Sequence, residues 1–244
     1  MREHLTVDGK DLADFGVYIS GDGTFSAPEK DYDWYDVPAR NGAVLGYERR
    51  LKNISVSYDC GIYTNFDTNI SDLRNYLLSR NGLVRISDTY HTGEYRMGIY
   101  AGSFDPTVER TLDSGRFTLT FDCLPQRWLT SGEAAITISG GGGTITNPTR
   151  FDAKPLVWVR GYGNLTINGT GIVIDNYGGT DLTIDCETMN CYNGTGTQTE
   201  YVAFVKNLIY GVDAPVLSPG SNTITNSSTS TLTSVQITPR WWEV

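Results

Sequence analysis

Residues that could perform acid–base or nucleophilic chemistry are few in this sequence. Only two histidines occur, His4 and His91, and a hydrolytic triad needs a histidine that takes the proton of the nucleophile beside an acid that orients it. His4 lies in an N-terminal tail that we expect to be mobile. His91 lies in the polar segment 88–93, which is typical of an exposed turn. The sequence therefore predicts no histidine-based catalytic site.

One pair of carboxylates is a further candidate for acid–base chemistry. Asp185 and Glu187 alternate to the same outward face of a period-two segment, and glycosidases built on β-sandwiches use two acids that no short motif reveals. Carboxylate pairs on a strand are usually solvated surface. We therefore expect no enzymatic activity and assign no catalytic residue.

The cysteines and glycines favour no metal, cofactor or phosphate site. Cys60, Cys123 and Cys186 each continue the inward positions of a period-two segment, where a free thiol behaves as a small hydrophobic group. Cys191 fits no such pattern. We predict buried thiols rather than disulfides or metal ligands. The four glycines at 140–143 lack the Lys-Ser/Thr and the helix of a phosphate loop, so we expect no metal and no cofactor.

Charge argues against nucleic-acid and membrane partners. The formal net charge is −9, from 19 Lys and Arg against 28 Asp and Glu, whereas a nucleic-acid binder needs a basic face that displaces counterions from phosphates. An anionic membrane surface makes the same demand. No segment approaches the roughly 18 apolar residues of a membrane span. The first residues lack the apolar segment of a signal peptide, so we expect the protein to stay in the compartment where it is made.

Periodicity predicts a mostly β chain with one helix. Glycine (27 residues) and tyrosine (15) are abundant beside β-branched residues, a composition typical of short strands and tight turns. Four apolar residues at helical spacing share one face: Phe66, Ile70, Leu73 and Leu77. We predict this helix near residues 67–81, with Asp67 or Thr68 as its N-cap and Gly82 directly after its C-terminus.

Two domains are predicted, residues 1–130 and residues 131–244. A strand that ends near residue 128 closes the first region, and only five of the 19 Lys and Arg follow it. The glycine run 140–143 is predicted to be a flexible turn or a linker. Short period-two segments separated by Gly and Asn turns favour a β-sandwich or jelly roll in the second region.

Both regions end in the same order of features: a strand, a proline and then Arg-Trp. Arg127 and Trp128 end the first region; Arg240, Trp241 and Trp242 end the second. Proline stops a strand because it cannot extend a central ladder. Either two strand ends pack an aromatic residue by coincidence, or these residues share a function as anchors at the end of each domain.

The order of several short motifs is the most specific feature of the sequence. Residues 35–45 are similar to a Pro-Gly-Arg-Asn-Gly-x-Leu signature, with Ala39 in place of its first glycine, and they follow a Gly-Val-Tyr-Ile strand at 16–19. The helix, a β-hairpin and Leu-Pro-Gln-Arg-Trp at 124–128 come next. Motifs of the second region continue the series: 147–149, 154–156, 161–163, 165–169, 182–187, 217–222 and 239–242. In this order they resemble the distal tail (Dit) family of siphophages over almost the whole chain.

The resemblance implies a fold and a set of partners. It implies an N-terminal β-sandwich with one helix and a β-hairpin that builds a hexameric ring, and a C-terminal galectin-like β-sandwich outside the ring. The expected partners are further copies of this chain, the major tail tube protein, the tail-associated hub protein and a receptor-binding protein. DNA would pass through the ring without specific binding. The expected location is the tip of the virion tail, after assembly in the cytoplasm of the bacterial host.

The assembly determinant is predicted within residues 1–130, around the signature segment. A rigid proline and a permissive Asn-Gly turn flank an arginine, and the aromatic run 32–35 precedes them as a potential anchor for a neighbouring subunit. The predicted subunit-interface residues are Trp34, Tyr35, Pro38, Arg40, Asn41, Gly42 and Leu45. The alternative for this segment is a hairpin turn with a solvated Arg40.

A carbohydrate-binding module that contacts host cell-wall glycans is the alternative function. Galectin-like sandwiches can bind sugars by stacking aromatic rings on them. The aromatic candidates are Trp158, Tyr162, Tyr177, Tyr192, Tyr201 and Tyr210. Trp158 falls in the period-two segment 156–159, where packing in the core or on the sheet is the commoner role.

Overall fold

A computed structural model describes residues 2–21, 23–103, 105–175, 181–194, 196–199, 202–206, 209–227 and 231–244. The chain forms two compact units. Unit one extends to Arg127 and includes Val244, and unit two comprises Trp128–Glu243. Each unit has its own buried apolar cluster.

Unit one consists of antiparallel strands and one α-helix. Its strands are β1 (Leu5–Val7), β2 (Lys10–Asp11), β3 (Val17–Ser20), β4 (Lys30–Tyr35), β5 (Val44–Leu51), β6 (Ile54–Ile62), β7 (Val84–Asp88), β8 (Glu94–Tyr100), β9 (Thr107–Glu109) and β10 (Ser114–Leu129), whose last two residues belong to unit two. The main sheet has the order β2-β1-β7-β8-β10-β6-β3, and β9 pairs with β10. Short 3-10 helices span Leu12–Phe15 and Arg110–Leu112. Strands β4 and β5 form a separate two-stranded sheet.

Alternating burial explains the pairing at the centre of the main sheet. From residue 54 to residue 60 of β6 every second residue is buried, including Val56 and Tyr58, and the residues between them are exposed. Their partners across the ladder are Phe121 and Leu119 of β10, and directly opposite residues of an antiparallel pair lie on the same face. The apolar sides of both strands therefore form one continuous wall of the core.

The helix α1 (Phe66–Leu78) covers that core with the face that the sequence predicts. Its four periodic apolar residues are all buried. It ends three residues earlier than predicted, so Gly82, although left-handed at φ +73°, lies in the following turn rather than directly after the helix. No described helix is long and apolar enough to cross a bilayer.

The predicted N-cap of α1 is wrong. Asp67 and Thr68 lie inside the first turn, and Asn65, at the cap position, makes no side-chain capping bond. The carboxylate of Asp113 accepts instead from the backbone N–H groups of Asn65 at 2.7 Å and Phe66 at 3.1 Å. Asp113 follows the short 3-10 helix before β10, so a residue distant in the sequence satisfies the free N–H groups of the helix.

Unit two contains the remaining strands. All but the last of them form two sheets, and the last pairs with β10. They are β11 (Ile136–Ile138), β12 (Gly142–Asn147), β13 (Leu156–Arg160), β14 (Gly163–Ile167), β15 (Thr170–Ile174), β16 (Leu182–Asp185), β17 (Asn190–Asn193), β18 (Gln198–Thr199), β19 (Val202–Lys206), β20 (Ile209–Tyr210), β21 (Gly220–Asn226), β22 (Ser234–Thr238) and β23 (Trp242–Glu243); a 3-10 helix spans Thr130–Gly132. Sheet I has the order β11-β22-β13-β16-β17-β18, and sheet II has the order β12-β21-β14-β15-β19-β20.

The inner faces of these two sheets form one core. Val157 and Ile184 of sheet I and Leu165 and Ile172 of sheet II are completely buried in the same apolar cluster. Unit two is therefore a β-sandwich. The predicted fold class, mostly β with one α-helix, is confirmed for the part of the chain that the structure describes.

The glycine run 140–143 is a turn within unit two and not a linker. Gly142 and Gly143 are the first residues of β12, paired with β21. Gly142 has φ +147°, and a Cβ there would lie 2.3 Å from the carbonyl oxygen of Ile224. Close approach of the two backbones therefore requires glycine at this position.

All four cysteines are free and buried, which confirms the burial predicted for Cys60, Cys123 and Cys186. Cys191, which fitted no pattern, lies in β17 opposite Ile184. Burial raises the pKa of the Cys60 and Cys186 thiols to about 12 and that of Cys123 to about 11. These thiols are therefore protonated at neutral pH, and a thiol in that state is a poor nucleophile.

Candidate assembly surface

A cluster of exposed apolar side chains in unit one lies on the hairpin of β4 and β5 with its connecting residues 36–43, here called the aromatic hairpin. Its strands pair with each other and belong to no larger sheet. A lone two-stranded hairpin is at best marginally stable in water. Contact of its backbone edges and side chains with another surface would therefore stabilise this hairpin.

Several large side chains of the aromatic hairpin face solvent. Trp34 is 61% exposed, Tyr35 57%, Leu45 46% and Tyr32 42%. Trp34 lies opposite Leu45 across the hairpin, and the Tyr32 and Trp34 ring centroids are 6.3 Å apart. Clustered exposed apolar residues mark interaction sites more often than isolated ones do.

A glycine allows Tyr35 to lie across the second strand. A Cβ on Gly46 would lie 1.9 Å from a ring carbon of Tyr35. The tyrosine ring therefore covers the backbone of β5 at Gly46, and a side chain at that position would displace the ring. This contact fixes one aromatic ring on the hairpin, while Trp34 beside it stays exposed.

The signature segment forms the turn of the aromatic hairpin. Ala39 has φ +62° and Gly42 has φ +79°, so Ala39 adopts the left-handed conformation that the glycine of the signature would favour. Arg40 donates its backbone N–H to the Val37 carbonyl at 3.2 Å. Pro38, like the whole of 36–43, is exposed. The predicted interface residues are thus brought together on one hairpin, whose subunit contacts stay a prediction.

The sequence does not indicate a second surface, which lies beside the C-terminal end of α1. Leu78 is 67% exposed because it lies off the buried face, and Ile99 of β8 is 41% exposed. With Leu77, Tyr100 and others they line a groove of about 240 Å³, which continues past Leu78 and Tyr100 to Arg74. We call this the helix-end groove. Only the pairing of strands brings these residues together, so no local pattern indicates them.

The end of unit one uses Arg127 within its own fold. Its guanidinium donates to Glu94 Oε2 at 2.8 Å and to the carbonyl of Val244 at 2.8 Å. Trp128, the next residue, is half-buried, and its indole N–H is buried with no hydrogen-bond partner among the described residues. These contacts favour a packing role for this pair.

The end of unit two is held in the same manner. Arg240, with φ +60°, donates to the carboxylate of Asp185 at 2.7 Å. Trp241 is 4% exposed in the sandwich core, and Trp242 stacks on Phe151 with ring centroids 4.4 Å apart. Both chain segments thus have a strand end that packs an aromatic residue and pairs an arginine, and a shared function as domain-end anchors stays a prediction.

The candidate carboxylates are not arranged for acid–base catalysis. Asp185 binds Arg240 and accepts the Glu187 backbone N–H at 2.9 Å. Burial alone would raise the pKa of Asp185, but the Arg240 hydrogen bond and the backbone N–H groups outweigh it, and the pKa is lowered. Glu187 lies 4.0 Å from Lys154. A carboxyl held ionised in this way is a poor general acid.

Both histidines belong to structural networks, contrary to the predicted exposed turn and mobile tail. His91 is half-buried, and its Nδ1 lies 3.0 Å from Asp88, which also accepts the hydroxyl of Tyr58 at 2.8 Å. Phe25 packs edge-on against the His91 ring. His4 donates its backbone N–H to a threonine in the loop after β7 at 3.0 Å. The register of β1 and β7, which the sequence does not reveal, brings the His4 contact together, whereas the contact between His91 and Asp88 is local to the turn after β7.

The aromatic residues considered for sugar stacking lie in several parts of unit two. Trp158 is half-buried in β13 and Tyr192 half-buried in β17, Tyr162 lies in the turn after β13, and Tyr210 is 71% exposed in β20. Tyr177 and Tyr201 fall outside the described residues. Trp158 and Tyr192 alone among the described four share the outer face of sheet I.

Comparison with known proteins identifies the fold. No family model and no curated protein matches the sequence. Among solved structures, the chain is similar to the SPP1 Dit (gp 19.1) protein, described as a paradigm of the hub adsorption apparatus in phages that infect Gram-positive bacteria, with a TM-score of 0.69 and 14% identity over 97% of this chain and 98% of that one. Chains of the phage P2 baseplate with Ca and with Sr match at a TM-score of 0.46 and 10% identity, over 97% and 96% of this chain and 98% and 97% of theirs. The chain therefore has the fold of SPP1 Dit over nearly its whole length.

Proposed function

We propose that this protein is a structural hub at the tip of a phage tail, where six copies form a ring between tail tube and baseplate. The observation that supports this most is the full-length likeness to SPP1 Dit, at 97% coverage. The proposed partners are further copies of the chain, the major tail tube protein on one face, the tail-associated hub protein on the other, and a receptor-binding protein.

The proposed ring contact joins two different surfaces of unit one. The aromatic hairpin supplies exposed rings, led by Trp34 at 61% exposure, and the helix-end groove supplies a concave apolar surface beside Leu78. A contact between unlike surfaces of identical chains is heterologous, and such contacts close into rings when the rotation permits. Each subunit would give its hairpin to one neighbour and receive that of the other.

Charge close to the aromatic rings suits the same pairing. Asp31, Asp33 and Asp36 alternate with or follow the rings of β4, while the four basic residues that balance the hairpin lie in its turn and at its open end: Lys30, Arg40, Arg49 and Arg50. Arg74 lies at the rim of the helix-end groove. Opposite charges around an apolar contact favour the correct partner and speed its encounter.

Net charge supports a conduit that does not retain DNA. Six copies at −9 carry 6 × −9 = −54 formal charges. Binding to DNA depends on neutralising phosphates, and a strongly acidic ring repels them. DNA would therefore traverse the channel without specific binding.

A structural role also accounts for the titratable groups. Asp185 is held ionised by Arg240, and the described side chains contain no cluster of three or more His, Cys, Asp or Glu that could hold a metal ion. We therefore propose no catalytic activity.

Mass measurement and electron microscopy test the proposal. The purified chain, alone or with the tail tube protein of its phage, should give a particle of about 161 kDa, six times the 26.9 kDa chain, with a central hole in negative stain. A monomer under both conditions contradicts the proposed ring. Turnover of cell-wall glycans that is lost on Asp185→Asn would contradict the structural role.

A further inference from the structure

We propose that the outer face of sheet I binds a neutral oligosaccharide across a row of side chains built around Trp158 and Tyr192. The row, here called the Trp158 row, consists of Gln236, Trp158, Thr183 and Tyr192. This inference is independent of the ring and concerns unit two alone.

Strand register places these four side chains side by side. Trp158 of β13 is paired with Gln236 of β22 on one side and with Thr183 of β16 on the other, and Thr183 is paired in turn with Tyr192 of β17. Directly paired residues share one face of a sheet. Their sequence neighbours, such as Val157, are buried in the sandwich core, so the row lies on the outer face.

The spacing of the two rings suits a chain of sugars. Trp158 and Tyr192 are two strands apart, about 10 Å at the usual inter-strand spacing, with only the small Thr183 between them. The C–H groups on one face of a pyranose pack against the negative face of an aromatic ring. The guanidinium of Arg160 lies 5.5 Å from the centroid of the Trp158 ring, and a short oligosaccharide on the remaining surface of that ring can contact both rings at once.

Polar groups for sugar hydroxyls surround this floor. Among the described residues, none makes a hydrogen bond with the Trp158 indole N–H, the Gln236 amide, the Thr183 hydroxyl or the Tyr192 hydroxyl. Gln198, opposite Tyr192 at the end of the row, donates to Asn190 Oδ1 at 3.1 Å. Apolar floors with a few placed polar groups are typical of small-molecule sites.

An ion pair borders the row on each side and sets its charge. Asp181 and Asp185 lie two residues before and after Thr183; Asp181 binds Arg160 at 2.8 Å and Asp185 binds Arg240 at 2.7 Å. Each acid on the border is matched by an arginine, so the face presents paired charges and suits an uncharged ligand. A polyanion such as a glycerol-phosphate polymer would need excess positive charge.

Binding of the full-length protein to an array of neutral hexose and N-acetylhexosamine oligosaccharides tests the inference, with poly(glycerol phosphate) as the anionic probe. We expect binding to at least one neutral oligosaccharide, and calorimetry should show it at least tenfold weaker for Trp158→Ala and for Tyr192→Ala. Thr183→Arg, which fills the gap between the rings without removing either, should weaken it equally. Tyr210→Ala, an exposed tyrosine on sheet II, should change it less than twofold.

Each other outcome overturns the inference. Binding to no neutral oligosaccharide, or to poly(glycerol phosphate) only, excludes this ligand class. Unchanged affinity in the Thr183→Arg protein excludes this face, and that variant decides the question if the aromatic variants fail to fold by circular dichroism. The mass of each protein, measured in parallel, reports separately on the proposed ring.

Discussion

At the scale of single residues, positions with unusual backbone angles hold the fold in place. Ala39 keeps the left-handed turn of the aromatic hairpin without glycine, although this conformation costs a residue with a Cβ roughly 1 kcal/mol. Asp113 is also left-handed, at φ +46°, and its carboxylate caps α1. The turn at Ala39 is local, whereas the cap from Asp113 joins residues that are distant in the sequence.

Replacing Asp113 tests its capping role. Asp113→Gly removes the carboxylate but accepts the positive φ, so only the cap is lost, and the free energy of unfolding should fall by about 1 kcal/mol. The free energy of unfolding should be lower still for Asp113→Ala, because this substitution also adds backbone strain. Urea unfolding measures both values. A Gly variant as stable as the original protein would show that water replaces the carboxylate at no cost.

The buried thiols make stability depend on pH in the alkaline range. Burial raises the pKa of Cys60 and Cys186 from 9.0 to about 12, so well below pH 9 both states keep the proton and this contribution to stability is fully present. Above pH 9 the unfolded thiol loses its proton first, and stability falls by up to about 1.4 kcal/mol per pH unit for each thiol. Urea titrations from pH 8 to 11 should show a shallower fall for Cys186→Ala. An equal slope would contradict this origin.

At the scale of elements, the sequence predicts the features that depend on the local spacing of apolar residues. The buried face of α1 and the inward cysteines follow from local spacing, so they are predicted correctly. The cap from Asp113 depends on a contact over 48 residues, and the helix-end groove depends on which strands are neighbours, so neither has a local signal. A motif indicates the residues of the aromatic hairpin. It does not indicate that the two strands of this hairpin stay separate from the main sheet.

Two variants with opposite defects test the proposed hairpin-to-groove contact. Trp34→Ala weakens the hairpin and Leu78→Glu places a charge in the groove; each alone should leave a monomer, since buried aromatic anchors contribute about 2–4 kcal/mol to such contacts. Mixed together, they retain one intact hairpin and one intact groove, so light scattering should show a dimer that cannot close. Tyr210→Ala is the control and should form the full ring. A ring from either single variant would place the contact elsewhere.

At the scale of the whole molecule, the two units carry different proposed binding surfaces. Unit one carries the aromatic hairpin and the helix-end groove, and unit two carries the Trp158 row. Strand β10 runs through the change of unit between Arg127 and Trp128 without interruption, so the glycine run at 140–143 is not the natural place to divide the chain.

Truncation tests whether assembly belongs to unit one. Residues 1–130 should form a ring by electron microscopy, because both proposed contact surfaces lie there, and residues 131–244 should remain monomeric. Circular dichroism of each fragment establishes folding first. A ring from the second fragment but not from the first would reverse the assignment.

The capping of α1 also sets an order of events during synthesis. The helix leaves the ribosome 47 residues before Asp113, and a helix of 13 residues is marginal in water by itself. Until β9 and the start of β10 emerge, its first N–H groups have only water to bind. The helix should therefore gain its stability together with the β10 ladder, as one cooperative step late in the emergence of unit one.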